Sequence, residues 1–196
     1  TRMFEAGPGR FNVYAQFGGN PEARPGILFH GHMDTVPPHG MKDPYDPRVA
    51  DGHVHGRGSV DQKGGIAAAV AAFGGLIASG RKLEKPAALV CVIDEESEHR
   101  GSMALLEMGI DAEFGVITEP TGLKLGIGCK GTAPILVRVK GKAAHGCRPW
   151  LGANAVLAGM DIVRLIMEEE LPVRNLPGIG EIRGTLNLGK IDGGRA

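Results

Sequence analysis

Residues 26–38, "GILFHGHMDTVPP", join an apolar strand directly to a cluster of ionisable side chains. Residues 27–29 have the composition of a sheet interior, and His30, His32 and Asp34 follow them at once. Burying an imidazole or a carboxylate without a partner costs roughly several kcal/mol. We therefore infer that a ligand at this strand end binds the polar groups and compensates for that cost.

The composition of the chain indicates a globular protein without a strong net field. Of its 196 residues, 42% are hydrophobic, and the 22 basic residues balance the 22 acidic ones. This balance argues against attraction to nucleic acid or to a membrane surface. The aromatic content of 5% likewise argues against a base-stacking surface.

The cysteines and the apolar runs bear on the expected compartment. Cys91, Cys129 and Cys147 lie far apart and form no CxxC pair, so nothing requires an oxidising environment. The chain has no run of about 18 apolar residues and no basic-then-apolar N-terminal pattern. We therefore expect a cytoplasmic enzyme or binding protein.

The apolar runs alternate with helix signals, which predicts an α/β fold. Two helices are predicted, over 64–80 and over 102–109 with Ser102 as N-cap. A hairpin is predicted over 49–58, turning at Asp51–Gly52. Because strands and helices alternate, we expect a mostly parallel sheet with flanking helices. The predicted strands are residues 11–17, 26–32, 87–94 and 114–119.

The pattern changes near residue 131, where we expect a second domain. Residues 1–130 would be the N-terminal part of a catalytic domain, and residues 131–196 part of a smaller α+β domain. Alternating apolar residues predict half-exposed strands over 134–146 and 183–194. Between them, four apolar residues at helical spacing predict a helix: Val156, Met160, Val163 and Met167.

Ionisable residues cluster where the predicted strands end. They are His32, Asp34, Asp61, Glu95, Glu96 and Glu119. The carboxyl ends of parallel strands share one edge of a sheet, where ligands bind. Carboxylates crowded together raise one another's pKa, and a pair of divalent cations removes that repulsion. Nitrogen and carboxylate ligands suit zinc, with cobalt or manganese as substitutes.

Each of these residues alone has a simpler explanation. A single histidine at a strand end is usually a hydrogen-bonded polar group, and a Glu-Glu pair is usually part of a solvated loop. The metal-site prediction therefore rests on the coincidence of all of them at one edge of the sheet.

Five motifs in order resemble the co-catalytic zinc amidohydrolases. That family includes acetylornithine deacetylase, succinyl-diaminopimelate desuccinylase, aminoacylase and glutamate carboxypeptidase. Any one motif is weak, but the ordered set is specific and spans nearly the whole chain. The motifs are "HGHMDTVP" (30–37), "GRGSVDQKGG" (56–65), "DEES" (94–97), "ITEPT" (117–121) and "GKAAHG" with "GANAV" (141–156).

The resemblance implies a ligand set for two metal ions, zinc foremost. His32 and Glu119 would bind the first metal and Glu96 the second, with Asp61 bridging both. A further ligand in the family is a late histidine that matches none of the seven here. The chain thus resembles the N-terminal portion of such an enzyme, and we expect the final ligand to lie beyond Ala196 and these residues alone to be inactive.

The resemblance also implies catalytic roles. Glu95 would be the general base that takes a proton from the water between the two metals. Asp34 would hydrogen-bond the free ring nitrogen of His32, and the Asp61–Gln62 peptide would be cis. His145 would help to stabilise the oxyanion, reaching in from the partner subunit of a homodimer.

The implied reaction is hydrolysis of an amide bond in an N-acyl amino acid, of the deacetylase or desuccinylase type. A dinuclear zinc dipeptidase or aminopeptidase shares the same ligand chemistry and remains an alternative. An alternative of another class is a non-catalytic metal-binding or dimerisation module, although the base Glu95 argues against it.

Overall fold

The computed structural model describes residues 1–194. They form two compact units, one covering Thr1–Cys129 and one that begins at Lys130. Among the described residues, no helix has the length and apolar character needed to cross a membrane.

The first unit is built around a five-stranded sheet. In chain order, its elements are β1 (Arg2–Gly7), β2 (Arg10–Phe17), β3 (Ile27–His32), β4 (Arg48–Ala50), β5 (His53–His55), α1 (Gly64–Ala78), β6 (Ala87–Val92), α2 (Arg100–Glu107) and β7 (Phe114–Ile117). The strand order in the sheet is β1-β2-β6-β3-β7, and β4 pairs with β5 in the predicted hairpin. Strands β6, β3 and β7 are parallel, whereas β1 and β2 are antiparallel. The predicted α/β class is confirmed.

Strand β6 forms the centre of the core because both of its faces are covered. Ala88, Val90 and Val92 are fully buried and belong to a cluster that includes Leu105 of α2. The alternate residues Ala87 and Leu89 pack in a second cluster with Ala69 and Phe73 of α1. This two-sided burial explains why the strand is apolar throughout and does not alternate.

Two features of the first unit differ from the sequence predictions. Strand β1 was not predicted, and Ser102 is not an N-cap: the cap position is His99, with φ of 55°. The helix start is fixed by packing, because Gly101 N donates to the Ile93 carbonyl. A Cβ on Gly101 would lie 2.4 Å from that carbonyl oxygen, so only glycine fits there.

In the second unit, the helix is present but the two predicted strands are not. Helix α3 (Ala155–Glu168) is followed by a hairpin of β8 (Val173–Leu176) and β9 (Gly180–Arg183). The strand predicted over 134–146 is absent, so that prediction is wrong. The strand predicted over 183–194 is also wrong, except that Arg183 is the last residue of β9. Alternation favours a strand only when a neighbour pairs with it, and over 134–146 the described residues offer one isolated bridge, Lys142 with Ala153.

Candidate metal centre

The imidazole of His32 is buried at the carboxyl end of β3 and faces three carboxylates. Its side chain is 1% exposed. Its Nε2 atom lies 3.0 Å from Asp61 Oδ1, 3.7 Å from Glu119 Oε1 and 3.8 Å from Glu95 Oε2. Parallel pairing of β3 with β6 and β7 explains the convergence, because Glu95 and Glu119 follow the ends of those strands.

The other ring nitrogen of His32 is held by Asp34. The Nδ1 atom lies 2.9 Å from the Asp34 main-chain carbonyl oxygen and 3.6 Å from its carboxylate oxygen Oδ1. A carbonyl can only accept, so Nδ1 carries a hydrogen and Nε2 is the atom presented to the carboxylates. Asp34 therefore orients the ring as the resemblance implies, but its closest contact is through the main chain.

The Asp34 carboxylate has a second task, which the sequence did not reveal. Its two oxygens accept hydrogen bonds from the backbone amides of Glu95 and Glu96, each at 3.1 Å. One side chain thus connects the end of β3 to the turn that carries both glutamates.

Two residues of β2 support the same turn. Arg10 Nη1 lies 2.8 Å from Asp94 Oδ1, and this hydrogen bond holds the pKa of Asp94 below its usual range. Asn12 is fully buried; its Nδ2 donates to the Gly101 carbonyl at 2.8 Å and its Oδ1 accepts from Ile93 N at 3.0 Å. These contacts fix the backbone on both sides of Glu95 and Glu96.

The electrostatics of the site favour a bound cation. Burial acts to lower the pKa of His32, but hydrogen bonds to the Asp34 carbonyl and the Asp61 carboxylate raise it above its ordinary value. Burial, together with the negative charge of Asp61, raises the pKa of Glu119, although His32 opposes this. Both shifts have the sign expected of a site with excess negative charge.

The predicted ligands and the predicted base come together in two overlapping groups. Within residues 1–194, these are His32 with Glu95 and Glu119, and His32 with Asp61 and Glu96. In each group the candidate ligand atoms lie within 4.8 Å of one another. One imidazole nitrogen and several carboxylate oxygens suit zinc or a similar divalent ion, so the residues fit the implied metals. Their separate roles remain predictions.

Gln62 is a further residue at the site: the resemblance singled out its peptide bond with Asp61 but not its side chain. The peptide bond that links it to Asp61 is cis. Its fully buried side chain accepts from His32 N at 2.8 Å and from Thr118 Oγ1 at 3.1 Å, and its Nε2 donates to Glu119 Oε1. Only its place next to Asp61 could have drawn attention to it.

A small cavity adjoins the candidate ligands. It has a volume of about 210 Å³, and Asp61 and Glu96 form part of its wall. The apolar side chains of Val36, Met41 and Val60 line it as well. The cavity therefore lies next to two of the four candidate metal ligands.

His145 lies in the second unit, which begins at Lys130. It is exposed, and its Nδ1 accepts from Cys147 N at 3.3 Å and lies 3.0 Å from Cys147 Sγ. Because the amide can only donate, a neutral ring carries its hydrogen on Nε2. The predicted oxyanion role of His145 remains a prediction.

Comparison with known families agrees with this geometry. The sequence profile described as Peptidase family M20/M25/M40 matches residues 28–185. The chain belongs to this family. The match includes all four candidate metal ligands and the candidate base, and it confirms the resemblance carried by the motifs.

Individual relatives cover the chain almost completely. A peptidase M20 domain-containing protein of Schizosaccharomyces pombe is 33% identical, over 95% of this chain and 44% of that protein. A protein of Aspergillus terreus named "Probable carboxypeptidase" is 35% identical, over 95% of this chain and 44% of that protein. The chain therefore spans less than half the length of these curated relatives.

A solved structure supports the fold. A tripeptidase from Staphylococcus aureus superposes with a TM-score of 0.57 at 19% sequence identity, covering 93% of this chain and 53% of that one. At this level of identity, the likeness concerns the fold alone.

Proposed function

We propose that the protein carrying this chain is a metal-dependent hydrolase that cleaves an amide bond. The observation that supports this most is the arrangement around His32. One nitrogen of the ring is held by Asp34, and the other faces carboxylates from three separate segments at 3.0–3.8 Å. The free nitrogen of His32 can bind one cation, and the carboxylates grouped around it offer enough oxygens for that cation and a second one.

The metal ions, Glu95 and Asp34 would have different roles in the reaction. Two divalent ions, when bound, would polarise the scissile carbonyl and acidify the attacking water. Glu95 lies within the same group of side chains and is proposed to accept the proton and pass it to the leaving amine. The Asp34 carboxylate holds the Glu95 amide at 3.1 Å, and this contact would keep the base in register with His32.

We propose a substrate in which an acyl group or peptide is linked to an amino acid with a free carboxylate. The deacetylase and desuccinylase type fits this description, as implied by the motif resemblance. A carboxypeptidase fits it too and is the second candidate, because relatives such as the Aspergillus terreus protein are named "Probable carboxypeptidase". In both reactions, the bond cleaved lies on the amino side of a residue with a free carboxyl group.

We also propose that the active protein is a homodimer in which His145 reaches the site of the partner subunit. Its Nε2–H tautomer, favoured by the contact of Nδ1 with the Cys147 amide, is a hydrogen-bond donor. A donor placed beside the polarised carbonyl would stabilise the charge that develops on the oxygen in the transition state.

A substrate panel tests the proposed function on the intact protein. The panel contains N-acetylornithine, N-succinyl-diaminopimelate, an N-acetylated dipeptide, a free dipeptide and the same N-acetylated dipeptide as its C-terminal amide. We expect hydrolysis of substrates with a free carboxylate, its loss on treatment with a chelator, and its return with zinc. The C-terminal amide is the matched control and should be cleaved poorly.

The panel also separates the alternatives. Preference for the acetylated or succinylated amino acids supports the deacetylase type, and preference for the N-acetylated dipeptide supports the carboxypeptidase. Cleavage of the free dipeptide alone favours a dipeptidase or aminopeptidase. Stoichiometric zinc binding without hydrolysis of any member supports the non-catalytic module and contradicts the proposal.

A further inference from the structure

We infer that Gln62 is a positioning residue that sets the orientation of the Glu119 carboxylate for metal binding. This inference rests on the proposed function and deepens it. Gln62 Nε2 donates to Glu119 Oε1, the same oxygen that lies 3.7 Å from His32 Nε2. The amide therefore holds the side of the Glu119 carboxylate that faces the imidazole.

The orientation of the Gln62 amide follows from its partners. The backbone amide of His32 can only donate, and it lies 2.8 Å from the Gln62 side chain. The atom that receives this hydrogen must be the oxygen Oε1, to which the Thr118 hydroxyl also lies at 3.1 Å. The NH₂ group must then face Glu119, so the donor role does not depend on an arbitrary amide assignment.

Close packing prevents the amide from turning away. Gln62 is fully buried, and a Cβ added to Gly31 would lie 2.6 Å from Gln62 Oε1 and 2.6 Å from Ile66. Residue 31 of strand β3, which packs against the amide, must therefore be glycine. The contacts to its oxygen and the close approach of Gly31 hold the side chain in this orientation.

A neutral amide suits this task better than a charged group. A lysine or arginine in its place would orient Glu119 but would also neutralise the charge needed by a cation. A carboxylate would repel Glu119. An amide fixes the position of the oxygen by a hydrogen bond and leaves the negative charge available, as the outer hydrogen-bond partners of metal ligands commonly do.

Stepwise zinc titration of the intact protein against a fluorescent chelator tests the inference. In Gln62→Met, which removes the amide at similar size, we expect one of two dissociation constants to rise about 10–100-fold. The other should stay within about threefold, and excess zinc should restore most of kcat. Thr118→Val is the matched control: it removes one hydrogen bond to the same amide but leaves the Glu119 contact, so its effect should stay within about threefold.

A double-mutant cycle separates action through Glu119 from general damage. In the Glu119→Gln background, Gln62→Met should add little further loss of affinity. An undiminished loss in that background, or unchanged dissociation constants in folded Gln62→Met, overturns the inference. If Gln62→Met fails to fold, Gln62→Glu replaces it: the variant keeps the acceptor for His32 N and puts a carboxylate that repels Glu119 in place of the donor, so the same dissociation constant should rise.

The outcome is independent of the proposed activity. If the wild-type protein binds zinc but hydrolyses no member of the substrate panel, the proposed function fails. The titration still decides whether Gln62 controls the Glu119 ligand.

Discussion

The two units differ in how they bury their apolar residues. In the first, Val90 and Val92 are fully buried in a sheet covered on both faces. In the second, none of the residues described up to 194 is buried, and Ile135 and Leu136 are each 76% exposed. The first unit therefore has a closed core of its own, whereas the described part of the second does not.

This difference matters for chemistry. The candidate ligands of the first unit follow strands whose interiors are packed and whose ends are tied together by Asp34, Asn12 and Gln62. Such a frame holds side chains in place before any ligand arrives. The second unit offers His145 on an exposed loop, positioned by its neighbour Cys147. Changes in the first unit should thus have larger consequences than equivalent changes in the second.

The largest effect is expected for two neighbouring glutamates of the first unit. Glu95→Gln should reduce kcat about 10²–10⁴-fold while both metals stay bound, because only the proton acceptor is removed. Glu96→Gln should instead lower the occupancy of one metal. Steady-state kinetics and elemental analysis of the purified intact protein measure the two quantities.

His99→Gln is a suitable control for this pair. Its Nδ1 lies 3.8 Å from Glu95 Oε1, its side chain is exposed, and it belongs to neither candidate metal group. It should change kcat by only a small factor. Equal loss of metal in both glutamate variants would show that the roles of Glu95 and Glu96 are not divided in this way.

The same substitution in each unit tests the contrast in burial. Val90→Ala removes two methyl groups from the core and should lower the free energy of unfolding by about 2–3 kcal/mol. Val137→Ala, at a site that is 49% exposed, should change it by less than about 0.5 kcal/mol. Denaturant unfolding followed by circular dichroism measures both. Comparable losses would mean that Val137 is buried in the assembled protein.

The contrast also explains what the sequence could predict. Strands β3 and β6 and helix α1 were identified because their apolar runs are local and complete. Most of the candidate site residues were singled out because they follow strand ends, and their roles as ligands remain predictions from the motif resemblance. The segment 134–146 has an equally clear pattern, but pairing depends on a distant partner that periodicity does not reveal. Gln62 and Asn12 were missed for the same reason, since their roles arise from contacts with residues remote in sequence.

Substitution of one asparagine in each unit should lower the free energy of unfolding by a smaller amount. Asn12→Ala removes two buried hydrogen bonds, to the Gly101 carbonyl and from the Ile93 amide, and should cost about 2 kcal/mol of unfolding free energy. Asn154→Ala removes the N-cap of α3, whose Oδ1 accepts from Val156 N at 2.9 Å, and should cost about 1 kcal/mol. Thermal unfolding compares the two. A larger loss for Asn154 would reverse the ranking of the two units.

The smallest predicted effect is a partial recovery of activity that tests the proposed dimer, in which His145 of one subunit would serve the site of the other. Two inactive variants of the intact protein, His145→Ala and Glu95→Ala, are mixed under conditions in which subunits exchange. In a symmetric dimer, about half of the mixed population is heterodimer. If His145 serves the partner's site, each heterodimer combines an intact Glu95 on one chain with an intact His145 on the other at one of its two sites.

Roughly a quarter of wild-type activity should therefore return on mixing, since half of the dimers regain half of their sites. Each variant incubated alone controls for residual activity, and mass spectrometry of isotopically labelled subunits confirms that exchange has occurred. If exchange is complete and no activity returns, His145 acts within its own chain or outside catalysis. Recovery of activity would mean that His145, on the exposed loop of the second unit, contributes to catalysis at the candidate site of a second copy of the chain.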